Sequence, residues 1–150
     1  MMNNLTVKEY LALMRIDFHG FLERSFYELN PATEFKDNWH IDVIAFELEQ
    51  VRLGNTKRLI INVPPRSLKS HCASVAFSAW LLGQDPSCQI ICASYAQDLS
   101  NKLASDCRTL MMSNAYGRIF PTQLSSQRPA LQEPLPRRRV FGWRLQWVAY

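Results

Sequence analysis

A chain of 150 residues, 47% hydrophobic and 20% charged, suits one ordinary domain that buries roughly 70% of its unfolded surface, and its composition excludes a disordered chain. No uninterrupted apolar run approaches the ~18 residues that a membrane span needs. The net charge of +4 belongs to the end of the chain: residues 134–150 hold Arg137, Arg138, Arg139 and Arg144 and no acid, and taking these four from the 17 basic residues leaves 13 against 13 acids, a balance with little non-specific pull on nucleic acid.

The first residues, Met1 to Leu5, have no basic flank leading into an apolar stretch, so no signal peptide is expected and the cytoplasm is the expected compartment. Thr6-Val7-Lys8-Glu9 has the form of a capping box. Apolar residues then recur at helical spacing from Val7 through Leu11, Met14, Phe18, Phe21, Leu22 and Phe26 to Leu29, which predicts one helix ending at Asn30-Pro31. A second helix is expected after Asp37-Asn38, running through Ile41, Ile44, Ala45, Leu48 and Val51, with Gly54 as its stop.

The period then changes. Arg58 to Val63 is a short, nearly continuous apolar run, the pattern of a buried parallel strand. Pro64-Pro65-Arg66-Ser67-Leu68 cannot continue it, and Lys69 to Leu82 reads as a helix capped by Gly83. Gln89 to Ser94 predicts a second buried strand, and Gln97 to Met112 another amphipathic helix. Strand, helix, strand, helix with short joins predicts βαβ units, an α/β fold with a parallel sheet covered by helices. Cys72, Cys88, Cys92 and Cys107 lack a zinc-binding spacing and read as buried free thiols.

Chemistry concentrates at residues 63–70, Val-Pro-Pro-Arg-Ser-Leu-Lys-Ser. A P-loop, G-x-x-x-x-G-K-[S/T], lies between a strand and a helix and cradles phosphate on backbone N–H groups. Lys69 and Ser70 occupy its last two positions, but Val63 and Leu68 stand where it has glycine. An ordinary βα turn, with Ser67 as helix cap and Lys69 in solvent, is the competing reading.

The wider pattern extends the match. Leu59-Ile60-Ile61-Asn62-Val63-Pro64-Pro65-Arg66 with Lys69-Ser70 is followed by Ala79-Trp80-Leu81-Leu82-Gly83 and Pro86, then by Ile90-Ile91-Cys92-Ala93-Ser94-Tyr95 with Asp98-Leu99. Over about residues 35–122 this order resembles the large subunit of phage terminases, ATPases that pump viral DNA into capsids. The resemblance implies a P-loop NTPase domain, a three-layer αβα fold with a parallel sheet, over residues 58–133, preceded by a helical segment, residues 1–57. It implies ATP and Mg²⁺ as cofactors. Pro65, Arg66, Ser67, Leu68, Lys69 and Ser70 would hold the nucleotide, Lys69 on its phosphates, Ser70 on the metal and Arg66 on charge developing at the transferred phosphoryl group. Trp39 and His40 would lie near the adenine, where a tryptophan anchoring its helix to the core is the alternative. Tyr95 and Asp98 could touch nucleotide or DNA, or be a loop tyrosine and a capping aspartate. Double-stranded DNA, a small terminase subunit, the capsid portal and a homo-oligomeric ring are the partners implied for the intact motor, with no membrane.

The chain departs from that family beyond residue 106, where the sole acid is Glu133 and no acidic strand follows. Hydrolysis should then be slight, since a missing general base alone costs about 10²–10⁴ in rate. Residues 134–150 change in style, and one nucleotide out of register Trp143 to Ala149 can encode Leu-Ala-Thr-Ser-Val-Gly-Gly. The expectation is a truncated product with an out-of-frame basic tail. A helicase-type translocase, and a non-enzymatic adaptor binding nucleic acid through Arg137 to Arg139, are the rival readings.

Overall fold

The structure, a computed structural model, describes residues 5–121 and the backbone of Leu145–Ala149. The expectations for Arg137 to Arg139 and the out-of-frame reading fall outside or only partly within that range. Helix α1 spans Val7–Ile16 and opens on the expected capping box, with Thr6 N–H donating to Glu9 Oε2 at 2.8 Å and Glu9 N–H to Thr6 Oγ1 at 3.3 Å. It ends at Asp17, which starts α2, Phe18–Leu29. One helix was expected over this stretch, and Asp17 divides it. Its carboxylate accepts from the N–H groups of His19 and Gly20, the competition with the helix that short acidic side chains offer.

Side chains from elsewhere satisfy the backbone groups that the break exposes. The Phe18 N–H donates to Glu49 Oε1 at 2.8 Å. The Met14 carbonyl accepts from the Trp80 indole at 3.1 Å, and the Arg15 carbonyl from the Gln84 amide. Orphan groups at helix ends need such partners when buried. Helix α3, Trp39–Arg52, ends as expected, with Gly54 in the left-handed region at φ 78.

The largest departure comes next. Residues 58–63 form no strand. Leu59, Ile61 and Val63 are half-buried against the core while Ile60, 93% exposed, and Asn62 face outward. The segment thus covers the core with one face, and among the described residues no strand pairs with it. The chain then turns through Pro65–Leu68 into a helix that passes through a π-helical stretch, His71–Ala76, before continuing as α4, Phe77–Gln84. Strand β1 follows at Ile90–Ser94, then α5, Gln97–Met112, and a short α6, Asn114–Ile119. The backbone of β2, Leu145–Ala149, lies parallel to β1, pairing Ile90 with Leu145 through Ser94 with Ala149.

The expected α/β architecture, a P-loop NTPase three-layer αβα fold around a parallel sheet, is therefore corrected. Of residues 5–121, 63% are helical and 4% are strand. The β1–β2 ladder has two strands, and β1 is half-buried on one face with Ile91 73% exposed on the other. The organising unit is a helical core. Phe18, Phe21, Leu22, Ile41, Trp80 and Tyr116 are nearly or fully buried within one cluster fed by every helix. Membership runs across residue 57, where a segment boundary was expected. No helix of the described residues is long and apolar enough to cross a membrane.

Gly83 lies within α4 instead of capping it. A Cβ there would fall 2.5 Å from the Phe120 ring, which is fenced by Phe21 and Tyr116 at 5.7 and 5.1 Å between centroids. Gly→Ala inside a helix ordinarily gains about 1 kcal/mol, whereas overpacking a rigid core costs about 1–3 kcal/mol. We expect Gly83→Ala to lose about 1 kcal/mol net in urea denaturation, partly recovered by adding Phe120→Leu. A gain in stability would show that the ring is free to move.

Candidate loop and cavity for anion binding

Two residues of the turn before α4 are left-handed although neither is glycine: Arg66 at φ 66 and Leu68 at φ 57. Each such residue costs about 1–2 kcal/mol. Leu68 occupies a position where a P-loop has glycine, and it takes the glycine-like conformation nonetheless. Its side chain packs against the core, which holds the backbone there. Ser67 Oγ donates to the Pro64 carbonyl at 2.9 Å and Lys69 Nζ to the Val63 carbonyl at 3.3 Å. The loop is thus closed on itself by two side-chain hydrogen bonds, and Ser67 is not the helix cap. The first helical turn continues from it, with the Cys72 N–H on the Leu68 carbonyl at 2.9 Å. In the π stretch the Phe77 N–H reaches the Cys72 carbonyl, the wider turn that recurs at functional sites.

Arg66, Ser67, Leu68, Lys69 and Ser70 all line a cavity of about 610 Å³, whose other walls come from the end of α2 and from α5. That volume falls within the range of small-molecule sites. Arg66, Lys69 and Ser70 are exposed, and among the described residues no acid lies within ion-pair distance of Arg66 or Lys69. The surface ion pair that would have explained Arg66 without a ligand is not formed there. From α5, Lys102 and Asp106 reach the same cavity and pair at 2.7 Å. His71 also lines it. Its Nε2 lies 3.0 Å from Ser25 Oγ, which donates to the Leu22 carbonyl at 2.7 Å. The hydroxyl proton being used, the network assigns the ring proton to Nε2. Burial pushes this imidazole down to about 4, against the opposing influence of the Leu22 carbonyl and of Asp106.

Other expected site residues stand apart. Pro65 is exposed in the turn and does not line the cavity. Trp39 and His40 form the first turn of α3 and line no part of it. Trp39 is 74% exposed, so it anchors nothing to the core either; its ring stands edge-on to His40 at 6.2 Å. Tyr95 is 84% exposed, and Asp98 sits in the first turn of α5 without capping it. The cysteines are free, as expected, but Cys88 and Cys92 are half-buried where burial was expected. Cys72 and Cys107 are buried, and burial pushes both thiols up to about 12, which leaves them inert.

For a metal, the cavity offers the Ser70 hydroxyl and the Asp106 carboxylate. Mg²⁺ bound to substrate phosphates through one or two protein ligands fits such a set. One cluster escaped the sequence reading. His19 Nε2 lies 3.3 Å from Asp37 Oδ1 and 3.2 Å from Asp42 Oδ1, and the three are the group of possible ligands found together among the described residues. Both aspartates are well exposed, and the ring serves as a tie between α2 and the start of α3. No periodicity could have paired residues so far apart in sequence.

Comparison with known protein families, with curated proteins and with solved structures finds no match to this chain.

Proposed function

We propose that residues 66–70 grip the phosphates of a nucleotide, as the ATP-binding segment of a DNA-packaging motor of the terminase large-subunit kind. The observation that carries this is the pair of left-handed residues, Arg66 and Leu68, held without glycine directly before Lys69 and Ser70 on a cavity wall. Alternating left- and right-handed residues turn successive N–H groups into one concavity, a form that binds anions. Strain retained in a loop is a pointer to function, and the cations standing around it carry the complementary charge.

In this reading Lys69 leaves the neutral Val63 carbonyl for a phosphate oxygen, a stronger charge-assisted partner. Arg66 adds a planar donor fork, and Ser70 offers its hydroxyl to Mg²⁺ arriving with the nucleotide. Asp106 is the carboxylate on the cavity wall and it is already engaged by Lys102. Among the described residues the other titratable base on that wall is His71, whose Nε2 is held by Ser25, so binding without appreciable turnover is the activity we assign. DNA, a small terminase subunit, a portal and further copies in a ring would be partners of such a motor in the host-cell cytoplasm.

Equilibrium titration of a fluorescent, non-hydrolysable ATP analogue tests the assignment. Lys69→Ala should weaken binding at least about tenfold, the loss of one hydrogen bond to a charged group. Equal affinities for the wild type and the variant would refute it.

A further inference from the structure

Lys102 and Asp106 are one turn apart on α5, and their 2.7 Å ion pair is poorly explained by stability. Their side chains are 69% and 32% exposed, and an exposed pair of this kind adds little to a fold. The order is also the weaker one, because a helix favours the acid on the N-terminal side of its cation. What the pair does have is a position: both residues line the cavity shared with Arg66 and Lys69. Among the described residues three cations face one carboxylate there, a surplus of two positive charges.

We propose that Lys102 is a phosphate-binding residue of this cavity and that Asp106 is a built-in competitor, holding the ammonium until a polyphosphate displaces it. The proposal rests on the reading of residues 66–70 as a phosphate site. Loop and α5 form different walls of the cavity, so a single phosphate held by the loop makes no demand on Lys102. A chain of three phosphates extends beyond the loop and meets the second wall. Exchange is easy, since the ion pair given up is weak while a phosphate oxygen offers the ammonium equal charge and several acceptor oxygens. Lys102 would therefore select nucleoside triphosphate or inorganic tripolyphosphate over orthophosphate, and Asp106 would set how tightly.

The test is a set of titrations with tripolyphosphate, orthophosphate and the ATP analogue on the full chain and on Lys69→Ala, Lys102→Ala, Lys102→Arg and Asp106→Asn. Lys102→Ala should bind tripolyphosphate about tenfold more weakly, with orthophosphate changed less than about twofold and affinity restored in Lys102→Arg. Asp106→Asn should bind tripolyphosphate severalfold more tightly, a change of sign that mere loss of structure cannot produce. If Lys102→Ala matches the wild type while Lys69→Ala is weakened, this proposal is wrong and the loop assignment stands. Should Lys69→Ala also match, both fall. Weaker binding by Asp106→Asn in Mg²⁺ but not in EDTA would make Asp106 a metal ligand and overturn its role as competitor.

Discussion

Trp80→Ala is expected to remove about 4 kcal/mol of stability, in the range of buried aromatic truncations, and with it most of the cooperative unfolding transition. Trp80 is fully buried and joins three elements. Its ring lies 5.2 Å from that of Phe18, its Nε1 donates to the Met14 carbonyl at the α1–α2 break, and the Arg52 guanidinium of α3 stacks 5.0 Å above its face. A domain of this size has roughly 5–15 kcal/mol in total. Far-ultraviolet circular dichroism against urea reads the loss. Trp80→Phe separates the contributions: it keeps most of the packing on Phe18 but strands the Met14 carbonyl, which costs about 1–3 kcal/mol. Because Trp80 belongs to the helix that leaves the phosphate loop, Trp80→Phe should also loosen the loop and weaken the ATP analogue. A Trp80→Ala chain that unfolds at the wild-type urea concentration would show that the break at Asp17 is held by something else.

Helix periodicity was the legible part of the sequence. The capping box at Thr6, the core face of α3, the glycine at 54 and the bounds of α5 all follow from local chemistry, and the structure has them. Asp17 hid inside a good apolar period because its neighbours Met14 and Phe18 satisfy the 3.6-residue spacing whether or not the chain breaks between them. Leu59 to Val63 misled for a different reason. An apolar run says that a segment is buried, but a strand also needs a neighbour for its N–H and C=O groups. Whether one exists is a property of distant chain that the run itself cannot encode. The alternation seen here, with Ile60 outward, is that of a segment lying on a helical core.

The loop was legible in composition and only partly in geometry. Its prolines exclude a helix, and Lys69 and Ser70 stand where a phosphate loop needs them, so the residues of the cavity wall could be named from Arg66 to Ser70. The sequence argued against left-handed backbone at Leu68, since a γ-branched side chain ordinarily avoids it. Core packing of that side chain overrides the preference. Trp39 and His40 were placed by analogy with a family and not by any local signal, and the structure sets them away from the cavity. Lys102 and Asp106 were invisible to motif reading, because an i, i+4 pair on an amphipathic helix looks like any solvated face until the fold turns it toward a loop far earlier in the chain.

His71 makes the fold sensitive to mild acid. Its ring is folded in as the neutral form, against Ser25 Oγ and edge-on to Phe26 at 5.8 Å, and burial pushes it from 6.5 down to about 4. Lys102, on the facing helix, also disfavours a second positive charge. The unfolded chain therefore takes up a proton before the folded one does. This contribution is complete above pH 6.5 and is lost as the pH falls from 6.5 through about 4. A difference of this size is worth about 3 kcal/mol in full, with about 2 kcal/mol gone by pH 5. Carboxylates held low, Glu9 by Thr6 and Asp85 by Ser87, lose their stabilising effect only at lower pH, so the window from 6.5 to 5 reports on the imidazole. Urea midpoints should fall across that window in the wild type and stay nearly level in His71→Gln, which keeps a donor for Ser25 and cannot ionise. A midpoint that holds steady in the wild type, or falls equally in the variant, would mean that the ring is already charged or solvated in the folded chain.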